Sequence, residues 1–240
     1  MARVLIGCGP LPGPGKDPFA GYQCAEVSEA VQEPLRHNTL RRLAGSAPAD
    51  FQWFIGAWRW ITLEPLDEKR TPPLEFPKRD FGRFQPTEAN RAAWREVEAQ
   101  AKAAGARGIL FKSPAAFTPS AAHIENLRAF RRDVIGDVPY ELVWEPRGIW
   151  AREELDALAA ELGLTIAVDP HTDVAMPEPV SGNAYYVITA PAGRLRFSED
   201  DLVDLHEFAM AHDGLVRLVF RGPEREAHAR AYARAFGSAN

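Results

Sequence analysis

Eight short apolar runs, each closed by glycine, proline or a polar turn and separated by helix-like stretches, constrain this chain more than any single motif. They fall at 3–8, 22–27, 51–57, 108–112, 140–144, 164–168, 184–189 and 215–220. Val4, Leu5 and Ile6 stop at Gly9 and Pro10. Ile109, Leu110 and Phe111 stop at Ser113 and Pro114, and Ile166 to Val168 at Asp169 and Pro170. Continuous β-branched and aromatic runs of this length suit strands buried on both faces of a parallel sheet. Helix periodicity fills the intervals at 87–104, 120–133, 151–162 and 223–236, and Ser198 is placed to cap a helix carrying Leu202 and Leu205. Alternation of this kind over 240 residues predicts one domain, 1–240, folded as a single (β/α)8 TIM-type barrel of eight parallel strands. An open doubly wound sheet is the alternative. The glycines at 7, 9 and 13 lack dinucleotide-loop spacing, and Pro10 and Pro12 remove backbone donors that would cradle a phosphate.

Two connections break the pattern. Residues 9–21 have no helix periodicity, so a loop is expected where the first barrel helix would stand. Residues 64–86 are charged and proline-rich, and a loop so long in a compact domain is expected to be mobile or functional.

A net charge of −5 gives no protein-wide basic field for nucleic acid, although a local patch stays open. No apolar run approaches the roughly 20 residues of a membrane helix. The first residues carry no signal-peptide pattern, so a cytoplasmic location is expected. Cys8 and Cys24 are too few for a disulfide framework or a four-thiolate metal site, and Cys8 reads as a small buried residue.

Barrel chemistry sits at the C-terminal ends of strands. That rule selects Glu26, Glu145, Asp169 and His171 as catalytic candidates, and Arg59, Trp60, Lys112, Arg147 and Arg221 as ligand-binding candidates. Carboxylates gathered at strand ends can divide into acid and base. They can equally be structural partners of Arg59, Arg147 and Arg221. His171, between Asp169 and Asp173, has the chemistry of a general base or ligand, but no second histidine stands at a strand end, so no metal site is expected. Lys112 can bind an anion, form a Schiff base, or pair with Glu145. Trp58, Trp60, Trp144 and Trp150 crowd the same strand ends, as stacking surfaces or as core. There is no serine elbow, Walker loop or His-Glu-x-x-His, and no cofactor is assigned.

Across most of its length the chain resembles the YecE-like family, domain of unknown function 72. The residues that carry the likeness are Val4-Leu-Ile-Gly-Cys-Gly9, Ala25-Glu26-Val27, Thr39-Leu-Arg-Arg42, Phe51-Gln-Trp53 with Ile61-Thr62, Ile109-Leu-Phe-Lys-Ser-Pro114 with Phe117, Glu145-Pro-Arg147 with Trp150, and Asp169. The resemblance implies a TIM-type barrel whose activity is not established. Departures fall on Gly56, Leu63, Lys112, Ile188, Ala190 and Arg221-Gly222, where the family's usual polar residues are replaced. Glu26, Glu145, Arg147 and Asp169 persist. The expected partner is a small anionic ligand, phosphate- or sugar-containing, held at the barrel mouth by Arg147 and Lys112, with hydrolysis as the enzymatic reading. The alternative is a non-catalytic barrel that binds nucleic acid or a protein partner. The oligomeric state is not legible.

Overall fold

The computed structural model describes residues 2–11, 17, 19, 21–65, 69–72, 74–171, 181–190 and 196–237. Eight strands close a barrel in chain order: β1 (Arg3–Cys8), β2 (Cys24–Val27), β3 (Gln52–Gly56), β4 (Gly108–Lys112), β5 (Glu141–Glu145), β6 (Leu164–Val168), β7 (Ser181–Ile188) and β8 (Asp213–Phe220). The open-sheet alternative fails on one pairing. β1 runs parallel to β8 from Arg3↔Leu215 to Cys8↔Phe220, which joins the first strand to the last. Among the described residues six α-helices accompany the strands: α1 (His37–Ser46), α2 (Glu88–Ala104), α3 (Ala121–Phe130), α4 (Arg152–Leu162), α5 (Glu199–Met210) and α6 (Arg225–Phe236). Among the described residues no helix is long and apolar enough to cross a membrane.

Several boundaries differ from the sequence reading. β7 and β8 begin earlier than expected, because Ser181, Gly182 and Asn183 pair with Asp213, Gly214 and Leu215. Gly214 (φ 141°) lies so close to the neighbouring strand that a Cβ there would meet the Gly182 carbonyl oxygen at 2.1 Å. These polar and glycine residues read locally as turns, yet the ladder recruits them. α1 was not expected, since Leu40 is its one buried residue and leaves almost no apolar stripe. The helix expected over 120–133 ends as α-helix at Phe130 and continues as one π-turn to Ile135. Between β1 and β2 the described residues form no helix, while 12–16, 18 and 20 lie outside the description.

The chain divides into two compact units. The first comprises Met1–Val27, Ala47–Trp53 and Ala167–Asn240. Its ladder is the pairing of β1, β7 and β8, and Leu5, Ile6, Tyr185, Val187, Ile188, Leu218 and Phe220 are buried in it. α5 starts at a capping box in which Ser198 accepts from the Asp201 N–H and Asp201 accepts in return from the Ser198 N–H. That reciprocal pair satisfies two of the donors a helix start leaves open.

The second comprises Ser28–Ser46 and Phe54–Ile166. β4 and β5 pair over five residues, ending at Lys112↔Glu145. An aromatic cluster fills its core. Phe84 packs on Phe111, Phe117 and Phe130 with ring centroids 5.6, 5.2 and 5.7 Å apart. Phe84 and its neighbour Arg83 both hold φ 51°, after Gly82 at φ 80°. A left-handed backbone at non-glycine residues costs of order 1–3 kcal/mol each and persists only where surroundings dictate it. Three bonds dictate it here: Gly82 donates to the Trp60 carbonyl (2.7 Å), Arg83 to Leu63 (3.1 Å) and Phe84 to Ile61 (2.9 Å). Buried Asn90 locks the same turn, donating to the carbonyls of Gly82 (3.0 Å) and Gln85 (2.8 Å). The turn clamps the segment from Trp60 to Leu63, which borders the cleft described next.

Candidate functional site

The second unit carries a cleft of about 400 Å3, lined by the polar residues Ser28, Gln32, Arg59, Thr62, Lys112, Ser113 and Arg147 and by Val31, Leu63 and Pro114. Its residues come from the turns after β2, β3, β4 and β5 and from Lys112 at the end of β4. The backbone there is held firmly. Thr62 donates its hydroxyl to the Lys112 carbonyl (2.7 Å), the Ser113 N–H donates to the Glu145 carbonyl (3.1 Å), and the Trp144 indole donates to the Ser113 hydroxyl (3.0 Å). Glu145 lies between two cations. Its Oε2 is 3.7 Å from the Lys112 ammonium and its Oε1 is 3.5 Å from the Arg147 guanidinium. Arg59 donates to the Gln32 side-chain oxygen at 3.1 Å. Three cationic side chains therefore line one small cleft, and Glu145 orients two of them. The Arg147 side chain is 64% exposed, so its fork can reach a ligand.

The structure thus brings together Arg59, Lys112, Glu145 and Arg147. Trp60, also expected to touch ligand, is instead buried against Phe81 with centroids 5.2 Å apart. Trp58 and Trp144 are buried as well, and Trp150 donates its indole N–H to the Phe117 carbonyl (3.1 Å).

Glu26, Arg221, Asp169 and His171 belong to the first unit. Glu26 is 1% exposed, and its carboxylate accepts hydrogen bonds from Arg221 and Tyr185. Arg221 supplies two, from Nε to Oε2 (2.9 Å) and from a terminal nitrogen to Oε1 (2.5 Å), and the Tyr185 hydroxyl supplies another (2.8 Å). Such a fork-to-fork pair is the strong form of an ion pair. Burial, and then the Glu26 charge, push the Tyr185 phenol well above its ordinary value, so it remains a donor. Gly9 is required beside this pair, since a Cβ there would meet Glu26 Oε2 at 2.7 Å. Cys8 is buried, and burial pushes its thiol up to about 12, which removes it as a nucleophile at neutral pH.

Asp169 closes the turn after β6. Its Oδ1 accepts from the His171 N–H (3.0 Å), and its Oδ2 accepts from the Thr189 hydroxyl. The His171 ring packs on Phe197 at 5.2 Å, and among the described residues its Nε2 has no hydrogen-bond partner. Asp173 lies outside the described residues. Among the described residues no three histidine, cysteine, aspartate or glutamate side chains gather in a group that would hold a metal.

Burial pushes the His171 imidazole below its ordinary value. The unfolded chain therefore takes up this proton more readily than the folded protein. Stability is lost as pH falls through the unfolded value of about 6.5 toward the lower folded one. Thermal melts of wild type and His171→Phe between pH 7 and pH 5 are expected to show a shallower decline for the variant. Parallel declines would contradict this.

The chain aligns over 98% of its length with a DUF72 family protein from Enterococcus faecalis, covering 94% of that chain at 11% identity and a TM-score of 0.69. A DUF72 family protein from Thermotoga maritima matches over 98% of both chains at 17% identity and a TM-score of 0.67. The chain has the fold of the DUF72 proteins. The barrel fold implied by the motif resemblance is thereby borne out. A xylose isomerase domain-containing protein from Salmonella typhimurium is also similar, over 90% of this chain and 86% of its own at 14% identity and a TM-score of 0.50. No protein-family model and no curated protein match the sequence.

Within this DUF72-like barrel, sequence reasoning missed Gln32, which orients Arg59, and Thr62, which ties two strand ends together. Thr62 stood in the Ile61-Thr62 motif, so a signal for it existed. Gln32 follows β2 in an irregular turn and carried none.

Proposed function

We propose that this barrel binds a small organic anion, a phosphate- or sugar-containing molecule, in the cleft bordered by Arg59, Lys112 and Arg147. The observation that carries the reading is the set of three cations on one cleft of about 400 Å3, with Glu145 placed to orient two of them. A cleft of this volume falls in the range for small-molecule sites. A guanidinium grips a phosphate or carboxylate through two parallel hydrogen bonds, and the apolar residues Val31, Leu63 and Pro114 in the lining suit the body of an organic ligand. In this reading Glu145, ion-paired to two of the cations, is the carboxylate assigned to acid–base work, and hydrolysis is the enzymatic form.

Calorimetric titration of inorganic phosphate, glucose 6-phosphate and a short oligonucleotide into wild type and Arg147→Ala tests it. Loss of one charge-assisted contact costs about 1.5–3 kcal/mol, so the variant is expected to bind the sugar phosphate about ten- to hundredfold more weakly. Equal affinity in both proteins, or a stoichiometric metal in the purified protein, overturns the reading. Tighter binding of the oligonucleotide than of the sugar phosphate moves it to nucleic acid.

A further inference from the structure

Resting on that anion-binding reading, we propose that Lys112 forms a reversible Schiff base with an aldehyde or ketone that carries a phosphate. Two guanidiniums already serve the anion, and neither can act as a nucleophile, because arginine keeps its proton in proteins. Lys112 places a primary amine among them. The chain has five lysines, and Lys69 and Lys102 are exposed, whereas the Lys112 side chain is 19% exposed and lines the cleft. Its backbone is fixed by the Thr62 hydroxyl on its carbonyl and by the β4–β5 register, so the stem starts from a set point.

The groups needed for imine chemistry stand around the amine. Glu145, 13% exposed and 3.7 Å from the ammonium, is placed to take its proton. Ser113 accepts from the Trp144 indole and keeps an O–H of its own to donate. Neutral Lys112 attacks the carbonyl carbon. A C–N bond forms, and the carbonyl π pair moves to the oxygen, which takes the proton back from Glu145. The nitrogen then passes a proton to Glu145, which returns it to the hydroxyl. The C–O bond breaks, water leaves and an iminium remains. One ammonium and one carbonyl become one iminium and one water, with no oxidant or reductant involved. The phosphate on Arg59 and Arg147 makes the addition effectively intramolecular, the source of rate in such positioned reactions.

The test uses dihydroxyacetone phosphate as probe, with borohydride to reduce any imine to a stable secondary amine and peptide mass spectrometry to locate it. In parallel, inorganic phosphate is titrated into wild type, and exchange of the probe's carbonyl oxygen is followed in 18O-labelled water. The expected result is an adduct at Lys112 at least tenfold above that at Lys102, suppressed by excess inorganic phosphate. Oxygen exchange is expected to be accelerated by wild type and not by Lys112→Arg. Adduct spread evenly over the lysines, or none, in a protein that binds phosphate overturns the Schiff base and leaves anion binding standing. Failure of wild type to bind phosphate overturns the anion reading, and this inference with it. Mapping on wild type does not depend on how the variant folds.

Discussion

Replacing Glu26 with alanine is expected to cost about 3–5 kcal/mol, the range for removing one partner of a buried ion pair. In a chain of this size that corresponds to a fall in melting temperature of roughly 6–20 °C. The cause is the charge left behind. The Arg221 side chain is 12% exposed and directs two donors at the carboxylate, and Tyr185 directs a third. Without Glu26 these three bonds are lost while the Arg221 charge stays largely buried. Removing both charges is different, because two apolar side chains of similar volume avoid the desolvation cost altogether. The double variant Glu26→Leu with Arg221→Met is therefore expected to be more stable than Glu26→Ala. Urea unfolding of the three proteins is the measurement. A Glu26→Ala protein as stable as wild type, or a double variant weaker than the single one, contradicts the account.

Substituting Gly82 by alanine is the second large effect, at about 2–6 kcal/mol, combining left-handed strain with overpacking. The added Cβ would meet the Leu63 carbonyl oxygen at 2.1 Å, and backbone cannot step aside as a flexible side chain can. Any shift of Gly82 also disturbs the bonds of Asn90 and withdraws Phe84 from its three aromatic neighbours. Thr62 and Leu63 line the cleft, so the variant is expected to weaken sugar phosphate binding as well as stability. Thermal melts and the phosphate titration check both halves together. A variant that melts like wild type would show that the turn is not the clamp it is taken for.

The same turn shows where local sequence stops being informative. Residues 64–86 read as a loop that would be mobile or functional, because charge and proline leave no period to follow. Among its described residues, Phe81 and Phe84 are buried and the turn at 82–84 anchors the segment before it. Nothing nearby in sequence announces this, since the partners of Phe84 are supplied by β4, α3 and the turn that carries Phe117. The starts of β7 and β8 show the converse. Ser181 to Asn183 and Asp213 to Gly214 are turn formers by composition, and only the neighbouring strand makes them extended.

The site divides along the same line. Lys112, Glu145 and Arg147 were legible because they follow apolar runs, and a strand end is a local property. Their pairing was legible too, since adjacent parallel strands of similar length end together. Glu26 was legible as a carboxylate at a strand end, but its engagement was not. Its partner Arg221 stands 195 residues away, and Arg59 and Arg147 were equally good candidates by charge.

The sequence by itself determined the parallel barrel and the residues at its strand ends. Burial on both faces selects continuous apolar runs, and the stops after them are short-range. The tertiary structure alone decided which cations line the cleft, which one is consumed by Glu26, and that the turn at 82–84 becomes a clamp. Those outcomes depend on contacts between residues far apart in the chain, and pairing across such separations leaves no period or spacing in the sequence to read.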